Sequence, residues 1–364
     1  MQKSVKKMAS IIKELIPSDS LEGYTLQPVL SSVADDEKIQ RGIASFKEFL
    51  INVYDQLIID GDLYEKPTKQ MDEDNFSHDN VVSLATGYPF INHVTSILIN
   101  IGYYSSLDEN CNLMVVDDRN MLAPLVGPQG GAAKQKISAP KVVEALRFLT
   151  SCGLHFDGID LTAKRPDLVK PYSLRVEYPD NPDMLIGLKV MAIAHNEMST
   201  ANDYYVFQRC DYRLLRAEAP NTTEYLKTYI RALPENAREF ILRLHQRYLD
   251  NGLTCKMKMH YFGVIFSYLY KSNIVWEFLP TSEGCYIHIT AKASHIGDYA
   301  DEIKTFHAVL QEKISTGYGC EKKRFGKPCQ KGCHGYSFLL NDSISEIECD
   351  IEKWFDKEVL CLRR

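Results

Sequence analysis

Four runs of period two follow one another between residues 255 and 291. Cys255, Met257, Met259 and Tyr261 alternate with Lys256, Lys258 and His260. Val264, Phe266, Tyr268 and Tyr270 alternate with Ile265, Ser267 and Leu269. Ile274, Trp276 and Phe278 alternate with Val275, Glu277 and Leu279, and Cys285, Ile287, Ile289 and Ala291 with Tyr286, His288 and Thr290. Alternation places successive side chains on opposite faces of a strand. The connections are too short for crossover helices, so the runs predict an antiparallel meander with one face buried. Ala237, Phe240, Ile241, Leu244 and Tyr248 mark a helix before it, stopped at Gly252, and Asp298–Ile314 reads as a helix after it. The segment is therefore α-β-β-β-β-α.

Upstream the pattern changes to 3.6. Phe46, Phe49, Leu50, Val53, Tyr54, Leu57 and Ile58 form one helical stripe, with Ser45 and Glu48 as a capping box and Gly61 at its end. Residues 91–101 read as a helix stopped at Gly102, and Asn112–Asp117 as a strand. Gly127–Lys134 breaks all periodicity, which makes 121–137 the expected linker. Beyond it a helix around Val142–Leu149 and a strand at Tyr172–Tyr178 are expected. Leu185–Ala194, apolar nearly all round, is expected to be a buried helix, and Phe207–Leu215 another strand. Ile344, Ile347, Ile351, Trp354 and Phe355 stripe a last helix, with Ser343 and Glu346 as its capping box. The fold class is α+β. Three units are expected: a mostly helical 1–125, an α+β 138–230, and 235–364, which joins the meander to a cysteine-rich loop and the last helix.

The 364 residues carry a net charge of -6, which weighs against a protein that coats nucleic acid with its whole surface. Lys13 and Glu14 interrupt the apolar run after Ile11 and Ile12, so no signal peptide is expected; no membrane span is expected either. A cytoplasmic location follows, with the ten cysteines mostly reduced.

Those cysteines are unevenly spaced. Cys111, Cys152, Cys210, Cys255 and Cys285 sit singly in apolar patterns, as small hydrophobes do. Cys320, Cys329 and Cys333, with His334, gather in a loop rich in glycine. Thiolates and imidazoles are the ligands that zinc prefers, so these four are the candidate metal ligands. Adjacent Cys333 and His334 cannot easily reach one ion together, which leaves the fourth ligand open to Cys349 or another distant residue. An iron–sulfur cluster, free thiols or a reversible disulfide are the other readings. Lys322, Lys323, Arg324, Lys327 and Lys331, around Phe325, make the same loop basic enough to hold a phosphate backbone.

Arg209, Asp211 and Arg213 share one face of the strand expected at 207–215. Two guanidinium groups beside a carboxylate could grip a small anionic ligand; an ion-pair ladder facing solvent is the plainer reading. His155, Asp157 and Asp160 are a weaker acid–base or metal candidate.

The α-β4-α segment at 235–315 resembles the small YjbR-like and YdhG-like domains in the order of its elements. Arg209-Cys-Asp-Tyr-Arg213 together with Tyr318-Gly-Cys320, Cys329 and Cys333 is similar to a family of uncharacterised bacterial proteins, which implies no catalytic residues. The expected function is a non-enzymatic binding or regulatory protein with a structural zinc site. The alternatives are an enzyme acting on a small anionic substrate near Arg209, Asp211 and Arg213, and a nucleic-acid-binding protein using residues 322–331.

Overall fold

A computed structural model describes residues 5–18, 25–64, 89–117, 120, 131–133, 136–163, 173–218, 221–231, 233–260, 263–281, 284–291, 293, 295–316, 336–339 and 345–364. The fold is α+β. The chain divides into two compact units, residues 1–220 and 221–364.

The first unit opens with two helices, the second of them 25 residues long. Helix α1 is Val5–Leu15 and α2 is Asp36–Asp60. Helix α2 starts nine residues before Ser45, the expected cap. The Asp35 carboxylate takes that role by accepting from the Lys38 amide at 2.9 Å, and Asp36 and Glu37 complement the dipole of the first turn. Ile39 and Ile43 carry the apolar stripe backward, and Ser45 is buried in mid-helix, accepting from Asn181 Nδ2 at 2.7 Å. Helix α3, Pro89–Tyr104, runs on past Gly102, where the sequence predicts a stop. A Cβ there would lie 2.7 Å from the Leu188 carbonyl oxygen, so this glycine serves a close helix crossing rather than an end. Helix α4 is Ala139–Ser151 and α5 is Asp183–Glu197. Helix α5 is buried on nearly every side, as its composition predicts, and packs against both α2 and α3.

A four-stranded antiparallel sheet completes this unit in the order β1 (Ser105–Leu107), β2 (Met114–Asp117), β4 (Ser173–Glu177), β3 (His155–Asp157). Val116 pairs with Leu174, so strands from both sides of the glycine-rich stretch belong to one sheet.

A short α6 (Tyr204–Gln208) precedes the second unit, which opens with α7 (Thr222–Ile230) and α8 (Glu235–Asp250). Gly252 follows α8 with φ +80, the left-handed conformation that ends a helix cheaply at glycine. The meander forms as its alternation predicts: β5 (Thr254–His260), β6 (Gly263–Tyr270), β7 (Asn273–Thr281) and β8 (Gly284–Ala291), all antiparallel. A fifth strand, β9 (Tyr336–Leu339), adds to β8 with Ala291 opposite Tyr336.

The expected helix 298–314 is broken into a 3-10 turn (Ile296–Tyr299), α9 (Ala300–Ile303) and α10 (Ala308–Thr316). Thr305 Oγ1 donates to the Glu302 carbonyl, and the Asp350 carboxylate accepts from the His307 amide at 2.7 Å. Both bonds compete with continued helix. The last helix, α11 (Glu348–Arg363), begins later than its expected cap, Ser343, which lies outside the described residues.

One sheet face carries the core. The Tyr248 ring of α8 meets Tyr268 edge to face at 4.5 Å and lies tilted 4.4 Å from Phe355 of α11, while Trp276 and Trp354 meet edge to face at 5.4 Å. Burying such rings contributes roughly 2–3 kcal/mol each. The other face is not simply solvated. Val275 and Glu277 are both buried there, and Ser267 Oγ donates to Glu277 Oε1 at 2.7 Å across the β6–β7 register.

Candidate functional site

The segment 207–215 is not the strand its pattern predicts. Helix α6, Tyr204–Gln208, starts on Asp203, whose carboxylate accepts from the Tyr205 amide. It closes in a Schellman turn: Cys210 takes φ +48, its amide donates to Phe207 O at 3.0 Å, and the Asp211 amide donates to Val206 O at 2.9 Å. A 3-10 turn, Tyr212–Leu215, follows. Arg209, Asp211 and Arg213 therefore lie inside the first unit, not along a solvent-facing ladder. Arg213 forks onto Asp211, Nε to Oδ1 at 2.8 Å and Nη2 to Oδ2 at 3.0 Å, with 4% and 2% of the two side chains exposed. The Arg209 guanidinium lies 5.8 Å from the centre of the Tyr205 ring. Tyr54 Oη donates to the Gln208 carbonyl at 2.5 Å beside a cavity of about 10 Å³. That volume suits one water and no organic substrate.

Cys320, Cys329, Cys333, His334 and the basic residues Lys322, Lys323, Arg324, Lys327 and Lys331 lie outside the described residues. Their flanks are described: α10 ends at Thr316, β9 begins at Tyr336, and these two elements pack against each other. Among the described residues, no group of three or more His, Cys, Asp or Glu could hold a metal ion. Of the singly placed thiols, Cys152, Cys210 and Cys255 behave as packing groups, while nothing is described of the Cys285 side chain. Burial pushes Cys152 up to about 12 and Cys255 to about 11, and it raises Cys210 further. Cys349 is exposed.

A cluster with no signal in the sequence lies at the end of β8. The Glu358 side chain on α11 is 1% exposed, and its Oε1 accepts from His295 Nδ1 at 2.9 Å. Oε2 accepts from Tyr299 Oη at 2.6 Å and from the His295 amide at 3.3 Å. Behind them Trp354 Nε1 donates to Tyr299 Oη at 3.1 Å. A carboxylate oxygen can only accept, so Nδ1 carries the proton in this pair. Burial and the neighbouring carboxylate raise the Tyr299 hydroxyl well above its ordinary range. The His295 side chain is one-third exposed, and Glu358 orients it from within the fold. The partners are 63 residues apart, and no local spacing could have joined them.

His155 and Asp157 occupy an edge strand with exposed side chains, and Asp160 accepts from the Thr162 amide and hydroxyl in a local turn. These three do not form a described site. Set against known proteins, the chain matches no family model, no curated protein and no solved structure.

Proposed function

We propose that this is a non-enzymatic binding or regulatory protein of the cytoplasm, with one structural zinc ion organising the segment that carries Cys320, Cys329 and Cys333. The observation that carries the reading is the packing of α10 against β9, the elements on either side of residues 317–335. The fold already holds the two elements that flank that segment against each other. A metal bound there need not supply the entropy of closing the loop, so ligand binding can go into ordering the segment itself. Three thiolates and one nitrogen make a closed tetrahedral set, which suits a structural ion rather than a catalytic one.

The alternative of an enzyme gripping a small anion at Arg209, Asp211 and Arg213 has less support. Asp211 already fills the fork of Arg213, and a substrate carboxylate would have to displace it inside a buried turn.

Elemental analysis of the full-length protein tests the metal. One equivalent of zinc is expected. The pair Cys329→Ser and Cys333→Ser should lose the zinc and shift the melting of the second unit downward. Protein purified without metal that takes up none on zinc titration would sink the proposal.

A further inference from the structure

We infer that the cavity beside Tyr54 is a binding site for one water molecule, which donates to Gln208 Oε1 and to Tyr54 Oη and so joins α6 to α2. This site lies in the first unit and is independent of the zinc reading above.

The cavity has a volume of about 10 Å³, and every residue that lines it is buried. Apolar side chains of α2, α3 and α6 make most of its wall. Three polar residues interrupt it: Tyr54 of α2, Thr95 of α3 and Gln208 of α6. A space of this size admits a single water, and a buried water makes about two to four hydrogen bonds. No described residue that lines the cavity is charged, so an ion would carry its charge there without a counter-charge. A neutral molecule does not meet that cost.

The protons of these three side chains decide what the site takes. Tyr54 Oη donates to the Gln208 carbonyl at 2.5 Å, and Thr95 Oγ1 donates to the Ile91 carbonyl at 2.9 Å. A hydroxyl carries one proton, so in any further bond both oxygens can only accept. Gln208 Nε2 donates to Thr95 Oγ1 at 3.4 Å. The group left over is Gln208 Oε1, a fully buried acceptor that no hydrogen bond in the structure engages. Neither hydroxyl in the wall has a proton to give it. A buried amide oxygen is costly to leave unsatisfied, which calls for a donor that the chain itself does not supply. Water brings two protons. One goes to Gln208 Oε1 and the other to Tyr54 Oη, whose oxygen can still accept. The water thus ties the side chain of the last residue in α6, a helix of only five residues, to the middle of α2.

The test is a high-resolution crystal structure of the full-length protein, read together with nuclear Overhauser effects from water in solution. A spherical density peak about 2.6–3.2 Å from both Gln208 Oε1 and Tyr54 Oη is expected. In solution, the Gln208 side-chain amide protons should show cross-peaks to water with the sign of a long-lived bound molecule. Gln208→Met removes the acceptor and keeps the length of the side chain. It should lose the density peak, and oxygen-17 relaxation dispersion should count one long-lived water fewer than in wild type. No density in the cavity and no such cross-peaks in wild type would overturn the inference. A water kept at the same place in Gln208→Met would overturn it as well, since Gln208 would then not be the group that holds it. So would a peak with the short, many-fold coordination of a metal ion. Should Gln208→Met fail to fold, the density and cross-peaks of wild type decide the question by themselves.

Discussion

Inside the first unit, Arg213 and Asp211 neutralise each other two residues apart, and neither can reach water instead. A buried pair of this kind adds little net stability, but removing one member takes a counter-charge away from the other inside the fold. Arg213→Met is therefore expected to lower stability by about 3–5 kcal/mol, and the double change Asp211→Leu with Arg213→Met to recover most of it. Urea unfolding followed by circular dichroism would show this. Equal losses in the single and double variants would mean that the cost does not come from breaking this ion pair. Thiol chemistry at this scale is also set by burial. Cys349 should react with Ellman's reagent quickly at pH 8, while Cys152, held up to about 12, and Cys210, raised still further, should react only when the unit unfolds. Rapid labelling of Cys210 in the native protein would contradict the packing described.

Among the elements, the crossing of α2 and α5 is the tightest contact in the first unit. A Cβ on Gly187 would lie 2.1 Å from the Gly42 carbonyl oxygen and 2.7 Å from Phe46 Cβ. Alanine is the better helix former by about 1 kcal/mol, so in an open position Gly187→Ala would stabilise. Here the sign should reverse, with a net loss of about 2 kcal/mol or more as the two helices are forced apart. A thermal melt at or above the wild-type midpoint would refute the crossing. The same elements show how far the sequence could be read. Period-two alternation made β5 to β8 legible, and a continuous apolar surface made α5 legible, because both patterns report burial directly. The turn at 207–215 was not legible. Its Schellman turn puts Cys210 where glycine is usual, so the expected stop signal is missing and the alternation of Arg209, Asp211 and Arg213 imitates a strand. Strand β9 is four residues long and gains its place from β8, not from its own pattern. The His295–Glu358 pair is a product of the tertiary fold alone.

For the molecule as a whole, the two tryptophans offer a way to watch one unit at a time. Trp276 and Trp354 are the only two in the sequence, and both lie buried in the core of the second unit. Tryptophan fluorescence thus reports residues 221–364, while far-ultraviolet dichroism reports both units. That separation lets the effect of pH on the second unit be followed on its own. His245 is buried, with Nδ1 against Tyr268 Oη at 2.7 Å and Nε2 against Thr223 Oγ1 at 2.9 Å. Burial lowers its proton affinity in the folded state below the ordinary value near 6.5. The unfolded chain then binds the extra proton first as the pH falls. Stability should be level above about pH 6.5 and should decline below it, until the folded-state pKa is passed, with a slope of at most about 1.4 kcal/mol per pH unit. The raised hydroxyl of Tyr299 titrates on the alkaline side and the lowered carboxyl of Asp350 in acid, so neither disturbs the window from 6.5 to 5. Urea unfolding followed by fluorescence at pH 7.5, 6.5, 5.5 and 5.0 measures the curve. His245→Gln, which keeps hydrogen-bonding capacity without titrating, should flatten it over that range. A decline of the same steepness in His245→Gln would assign the pH dependence to another group and would show that the buried ring is not what the acid limb of this unit senses.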